Sequence, residues 1–190
     1  MAEENPHNQL VLRKTIVLVG MMGAGKTAVG RTLAAQLGVP FLDSDHEIEA
    51  AADRSIAEIF ERDGEPFFRQ KESQVIERLL DGTPGVLSTG GGAYMSDVNR
   101  QMITEKGVAI WLDADIEVLW ERVRNKDTRP LLRTDNPKQT LTDLFNARVP
   151  IYQLADLSVK SAGGISLEEM GRRVQAALAE TRPDVLETVT

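Results

Sequence analysis

No cysteine occurs in the 190 residues. That absence excludes disulfides, thiolate zinc sites, iron–sulfur clusters and cysteine nucleophiles. Histidine is scarce too, at two residues, and His46, with no second histidine or cysteine beside it, reads as a polar helix residue rather than a metal ligand. Long apolar runs are also missing. The run at 16–19 is far too short to span a bilayer, and the opening MAEENPHNQL lacks the apolar core of a secretory signal. Basic residues are outnumbered, 22 Lys and Arg against 29 Asp and Glu, for a net charge of −7. That balance disfavours nucleic acid or an anionic membrane as the main partner. A cytoplasmic monomer acting on a small molecule is the expectation.

What is present fits one α/β domain. Residues 1–13 read as a loose, flexible extension, 14–181 as the domain, and 182–190 as a fraying tail. Residues 15–20 (TIVLVG) form an apolar run that breaks at glycine, as a buried parallel strand does. In the helix that follows, Val29, Leu33 and Leu37 share a face, and Gly38 is its stop. Further strands are expected at 41–42, 86–89, 108–112 and, weakly, 157–159. Ser55 with Glu58, and Ser166 with Glu169, have the spacing of helix-capping boxes. Pro66 opens a helix running to about Leu80. Residues 126–137, charged and holding two prolines, read as a loop. Such alternation gives a mostly parallel sheet with helices on both faces, and a site at the carboxyl ends of its strands.

The sharpest motif is Gly20-Met21-Met22-Gly23-Ala24-Gly25-Lys26-Thr27, which fits G-x-x-x-x-G-K-S/T between an apolar strand and a helix. Its glycines let backbone N–H groups ring phosphates at a helix N-terminus. Lys26 would reach the β- and γ-phosphates, and the Thr27 hydroxyl would ligate Mg²⁺. The motif therefore predicts nucleoside triphosphate binding, but not the fate of the terminal phosphate.

A GTP switch would carry N-K-x-D, which Asn125-Lys126-Asp127-Thr128 only approaches, and there is no D-x-x-G after an apolar strand. Asp113 ends a strand as a metal-binding acid would, but it leads straight into a helix with Asp115 and reads rather as an acid at that helix N-terminus. Asp43-Ser44-Asp45 could divide duties between Mg²⁺ and an acceptor hydroxyl, or could simply cap a helix. Gly90-Gly91-Gly92 permits close approach of a ligand to backbone donors; a flexible turn is the other reading.

Taken in order, GMMGAGKT at 20–27, DSD at 43–45, FFRQKE at 67–72, GGG at 90–92, RPLL at 129–132 and Arg148 with Tyr152 resemble the shikimate kinase family, over about residues 14–180. The resemblance implies a three-layer P-loop kinase fold with a parallel five-stranded sheet in the order 2-3-1-4-5 and a mobile lid at about 126–137. It implies ATP with Mg²⁺ as phosphoryl donor and shikimate as acceptor. By the same likeness Gly23, Ala24, Gly25, Lys26, Thr27 and Ala28 hold the nucleotide, and Thr27 and Asp43 attend the metal. Asp45 contacts the acceptor hydroxyls as the base. Arg69 and Arg148 take the carboxylate, with Gly91 and Gly92 as donors, and the substrate-binding region is about 43–80. Arg129 is the lid cation, and Arg122 or Arg124 stacks on adenine, Arg122 being preferred. Arg69 could instead pair with Glu72 on a helix surface, or Glu72 could orient it. Alternatives from outside the family are a kinase of another hydroxy acid such as gluconate, a nucleoside monophosphate kinase, and a non-catalytic nucleotide switch.

Overall fold

The computed structural model describes residues 9–126 and 130–189. Five parallel strands form the central sheet: β2 (Thr15–Val19), β3 (Phe41–Asp43), β4 (Val86–Ser88), β5 (Gly107–Asp113) and β6 (Leu157–Lys160), in the spatial order β3-β4-β2-β5-β6. Counted among these five alone, that is the order 2-3-1-4-5. β2 is in the middle and buried along its whole length, which is why its sequence is a continuous β-branched and aliphatic run.

Helices α1 (Lys26–Leu37) and α8 (Leu167–Thr181) pack on each other, as do α4 (Glu65–Leu80) and α5 (Asp97–Lys106); α6 (Ile116–Val123) packs on α7 (Pro137–Tyr152). α1 ends where Gly38 takes a left-handed φ of 64° and its N–H caps the last turn. Gly30 lets α1 lie close on β3: a Cβ there would come within 2.8 Å of the Phe41 ring and 3.3 Å of Leu18. Both polar spacings act as caps. Ser55 and Glu58 bond reciprocally at the start of α3 (Ile56–Asp63), and Ser166 accepts from the Glu169 N–H at the start of α8.

α2 (Ser44–Ala52), α3 and α4 enclose a second apolar cluster of Ile48, Ile59, Phe68 and Val75, separate from the main core around the sheet. This satellite core holds the N-terminal part of α4, and with it Arg69, beside the ends of β3 and β4.

The expectation is corrected at both ends where the chain is described, while residues 1–8 of the expected extension lie outside the described residues. Gln9–Leu12 is a strand, β1, paired antiparallel with Leu186–Val189, β7. Val185 and Leu186 are buried with the main core, and Arg13 and Lys14 bridge to Glu187 and Asp184. Residues 182–189 are therefore held by burial and a ladder rather than frayed. Among the described residues, no helix is long and apolar enough to cross a membrane.

Candidate active site

At the end of β2 the chain turns through Gly23 and Gly25, at φ 82° and 92°, a region closed to most side chains. That turn aims the first N–H groups of α1 into a cleft of about 500 Å³. Gly23, Ala24, Gly25, Lys26, Thr27 and Ala28 all line it, as do Asp43, Asp45, Ser88 and Gly91. Lys26 Nζ donates to the carbonyls of Gly20 (2.7 Å) and Met21 (3.0 Å), so the cation lies across the mouth of its own loop. Thr27 Oγ1 is 3.4 Å from Asp43 Oδ2 and 3.4 Å from Ser88 Oγ. Asp43 and Ser88 are register partners across β3 and β4, which fixes that oxygen cluster by strand pairing. Oxygen-only donors suit a hard cation such as Mg²⁺. Among the described residues no group of three or more His, Cys, Asp or Glu could hold a metal, so an ion here would draw most of its ligands from phosphate and water.

The three glycines after β4 organise the other half of the site. None has a positive φ, so their lack of side chains provides space rather than conformational freedom. A Cβ on Gly90 would stand 2.9 Å from Asp45 Oδ1, one on Gly91 3.1 Å from Arg148 Nη1, and one on Gly92 2.5 Å from Arg69 Nη2. Asp45 from α2, Arg69 from α4 and Arg148 from α7 thus converge on consecutive peptide units. Asp43 accepts from the His46 N–H as the cap of α2, so it acts both as cap and as cleft wall.

Arg69 is held by the carboxylate of Glu72, Nη1 to Oε1 at 2.8 Å, and its guanidinium rests 5.1 Å from the centre of the Phe68 ring. Glu72 is only 1% exposed, and its second oxygen has no hydrogen-bond partner. Burial pushes the Glu72 carboxyl above its ordinary range, and Arg69 pulls it back. Glu72 thus pairs with Arg69 from a buried position, while Glu65 meets the same guanidinium at 3.5 Å from the exposed side. Asp45 is likewise raised, first by burial and then by the charge of Asp43, with Lys26 opposing.

At the far end of the cleft, Arg122 donates to the Gly23 carbonyl at 2.9 Å, while Arg124 pairs with Glu121 at the surface. The geometry thus distinguishes the two arginines, and Arg122 is the one in the cleft. Asp113 stands outside it, bridged to Lys160 at 2.9 Å. Ser161 lines the cleft, its amide bonded to the Asp113 carbonyl. Ile165, Leu167 and Met170 add an apolar wall that the sequence reading missed; they belong to the turn before α8 and its first residues, where no motif marks them. Arg129 lies outside the described residues.

The chain as a whole is similar to known proteins. The model of the shikimate kinase family fits residues 22–179. The chain is 67% identical to a shikimate kinase of Cereibacter sphaeroides, over 93% of this chain and 88% of that one. It is 68% identical to one of Ruegeria pomeroyi, over 93% and 90%. A shikimate kinase of Acinetobacter baumannii, solved in complex with shikimate, superposes with a TM-score of 0.83 at 38% identity, covering 89% of this chain and 95% of that one. With that family model spanning most of its length and relatives at 67% and 68% identity over 93% of it, the chain belongs to the shikimate kinases.

Proposed function

We propose that this chain transfers the γ-phosphoryl group of ATP to the 3-hydroxyl of shikimate, giving shikimate 3-phosphate and ADP. The observation that carries the reading is the contact of Asp45, Arg148 and Arg69 with three successive glycines beside the phosphate loop. A cyclic acid with its carboxylate between the two guanidinium groups gains charge-assisted, bidentate bonds from planar forks. Its ring can then lie against Gly91 and Gly92, whose missing side chains leave room and whose N–H groups can donate.

The acceptor oxygen attacks the γ-phosphorus as the bond to the β,γ-bridging oxygen breaks, and ADP leaves. Asp45 accepts the hydroxyl proton. Burial and Asp43 raise its proton affinity, which makes it a better base. Lys26 leaves its loop carbonyls for the β- and γ-phosphates, and Arg122 covers the base. Thr27 and Asp43 would hold Mg²⁺, directly or through water, and the ion would supply positive charge to offset that of the phosphates. Arg129 adds a cation to the transferring group when the 126–137 segment closes and excludes water. A monomer in the cytoplasm is part of the same reading.

Coupled ADP-release assays with shikimate and with gluconate test this directly. Turnover with shikimate is expected. Turnover of gluconate without shikimate defeats the proposal, and slow hydrolysis indifferent to either acid would make the chain a nucleotide switch.

A further inference from the structure

Tyr152, the last residue of α7, has no solvent exposure. Its ring stacks on Trp111 of β5, centroids 6.2 Å apart and planes 23° from parallel. A buried phenol needs hydrogen-bond partners. Its O–H donates to the carbonyl of Gly91 at 2.5 Å. Arg148 is one helical turn earlier, and its Nη1 lies against the same glycine, 3.1 Å from where a Cβ on Gly91 would stand. Burial pushes the phenol up to about 12, so it remains an O–H donor across the working pH range.

The hydroxyl thus holds a peptide unit of the acceptor site. The described peptide bonds are all trans, and a trans peptide is a rigid plane whose C=O and following N–H point in opposite directions. With the Gly91 carbonyl held on Tyr152, the Gly92 N–H is turned away from it and cannot rotate freely. A glycine run would otherwise keep that freedom. The Arg148 guanidinium rests against that same Gly91.

We propose that Tyr152 is a positioning residue for the acceptor: its hydroxyl locks the Gly91–Gly92 peptide, beside which the Arg148 guanidinium lies, into one preset arrangement. This rests on the assignment of shikimate to that site. Preorganisation of this kind acts on acceptor affinity and alignment and leaves the nucleotide half untouched.

The test is Tyr152→Phe, which keeps the ring on Trp111 and removes only the oxygen. Loss of one hydrogen-bonded anchor predicts a rise in shikimate KM of roughly tenfold, with ATP KM unchanged. In thermal melts, the shift produced by saturating shikimate should shrink while that produced by ADP persists. A merely structural hydroxyl would lower the unliganded melting temperature and leave both ligand responses alike; that result, or an unchanged shikimate KM, overturns the proposal. If the variant is insoluble, 3-fluorotyrosine at position 152 keeps the shape and alters the hydroxyl's acidity. A change in shikimate KM alone supports the role, and no change refutes it. Wild-type protein that does not turn over shikimate would sink the functional assignment; active wild type with an unaffected Tyr152→Phe sinks only this inference.

Discussion

Gly92→Ala isolates the acceptor site from everything else in the molecule. Gly92 has φ −93° and ψ −6°, a conformation open to alanine, so the backbone is not strained. The added methyl would meet Arg69 Nη2 at 2.5 Å, Nη1 at 2.9 Å and Cζ at 3.0 Å. Ordinary contact begins near 3.4 Å, so the guanidinium has to retreat by roughly 1 Å. It is the far end of a flexible side chain, so the fold can yield there cheaply. Its carboxylate geometry cannot yield in the same way. Weakening one charge-assisted contact removes about 1.5–3 kcal/mol, or roughly ten- to 150-fold in acceptor affinity. Steady-state kinetics with each substrate varied in turn, and calorimetric titration of shikimate, measure this directly. Shikimate KM should rise by that factor, ATP KM should hold, and the melting temperature should change little. An unaltered shikimate affinity, or an ATP KM that rises in parallel, would refute the claim that the glycines exist to seat the three charged side chains.

Asp45→Asn should lower kcat by ~10²-fold or more with ATP binding retained, measured by single-turnover phosphoryl transfer and nucleotide titration. Because burial and Asp43 hold the Asp45 pKa above its ordinary 3.8, wild-type kcat/KM should fall as pH drops through that raised value. The stability sign is opposite: in that window the folded state binds more protons than the unfolded one, so stability is lost as pH rises. Asp45→Asn should therefore melt higher than wild type at neutral pH, and a lower melting temperature would contradict the raised pKa. Arg122→Ala should weaken ATP and not shikimate, whereas Arg124→Ala should do neither; nucleotide titration of both separates them. Deleting residues 184–190 should lower the melting temperature by several degrees, because it removes Val185 and Leu186 from the core; an unchanged melt would mean that β7 adds nothing.

The strands were legible because a buried parallel strand writes itself as a local apolar run, and β2 is that case. The caps at Ser55 and Ser166 were legible for the same reason: the chemistry spans only three residues. α7 was not. Among its residues only Leu141 and Tyr152 are buried, and Pro150 lies inside it, so its sequence carries neither a periodic stripe nor an uninterrupted helical composition. α5 buries just Asn99 and Ile103, one of them polar. β1 and β7 pair from opposite ends of the chain, and no window of sequence contains both. In the site, the phosphate loop was readable from residues alone. The meeting of Asp45, Arg69 and Arg148 was not, because it depends on three helices brought to one sheet edge by crossovers, and only the resemblance to a family anticipated it. The Tyr152 hydroxyl had a motif position but no chemistry until the fold set it on Gly91.

The close seating of α1 on β3 at Gly30 has a bearing on catalysis that no ligand residue reveals. Thr27 is one helical turn before Gly30, and Asp43 is two residues after Phe41, the ring against which Gly30 rests. A methyl group at position 30 would act as a wedge between helix and strand, prising the threonine hydroxyl from the aspartate across the gap. Metal demand could then climb in a variant whose every coordinating atom is intact.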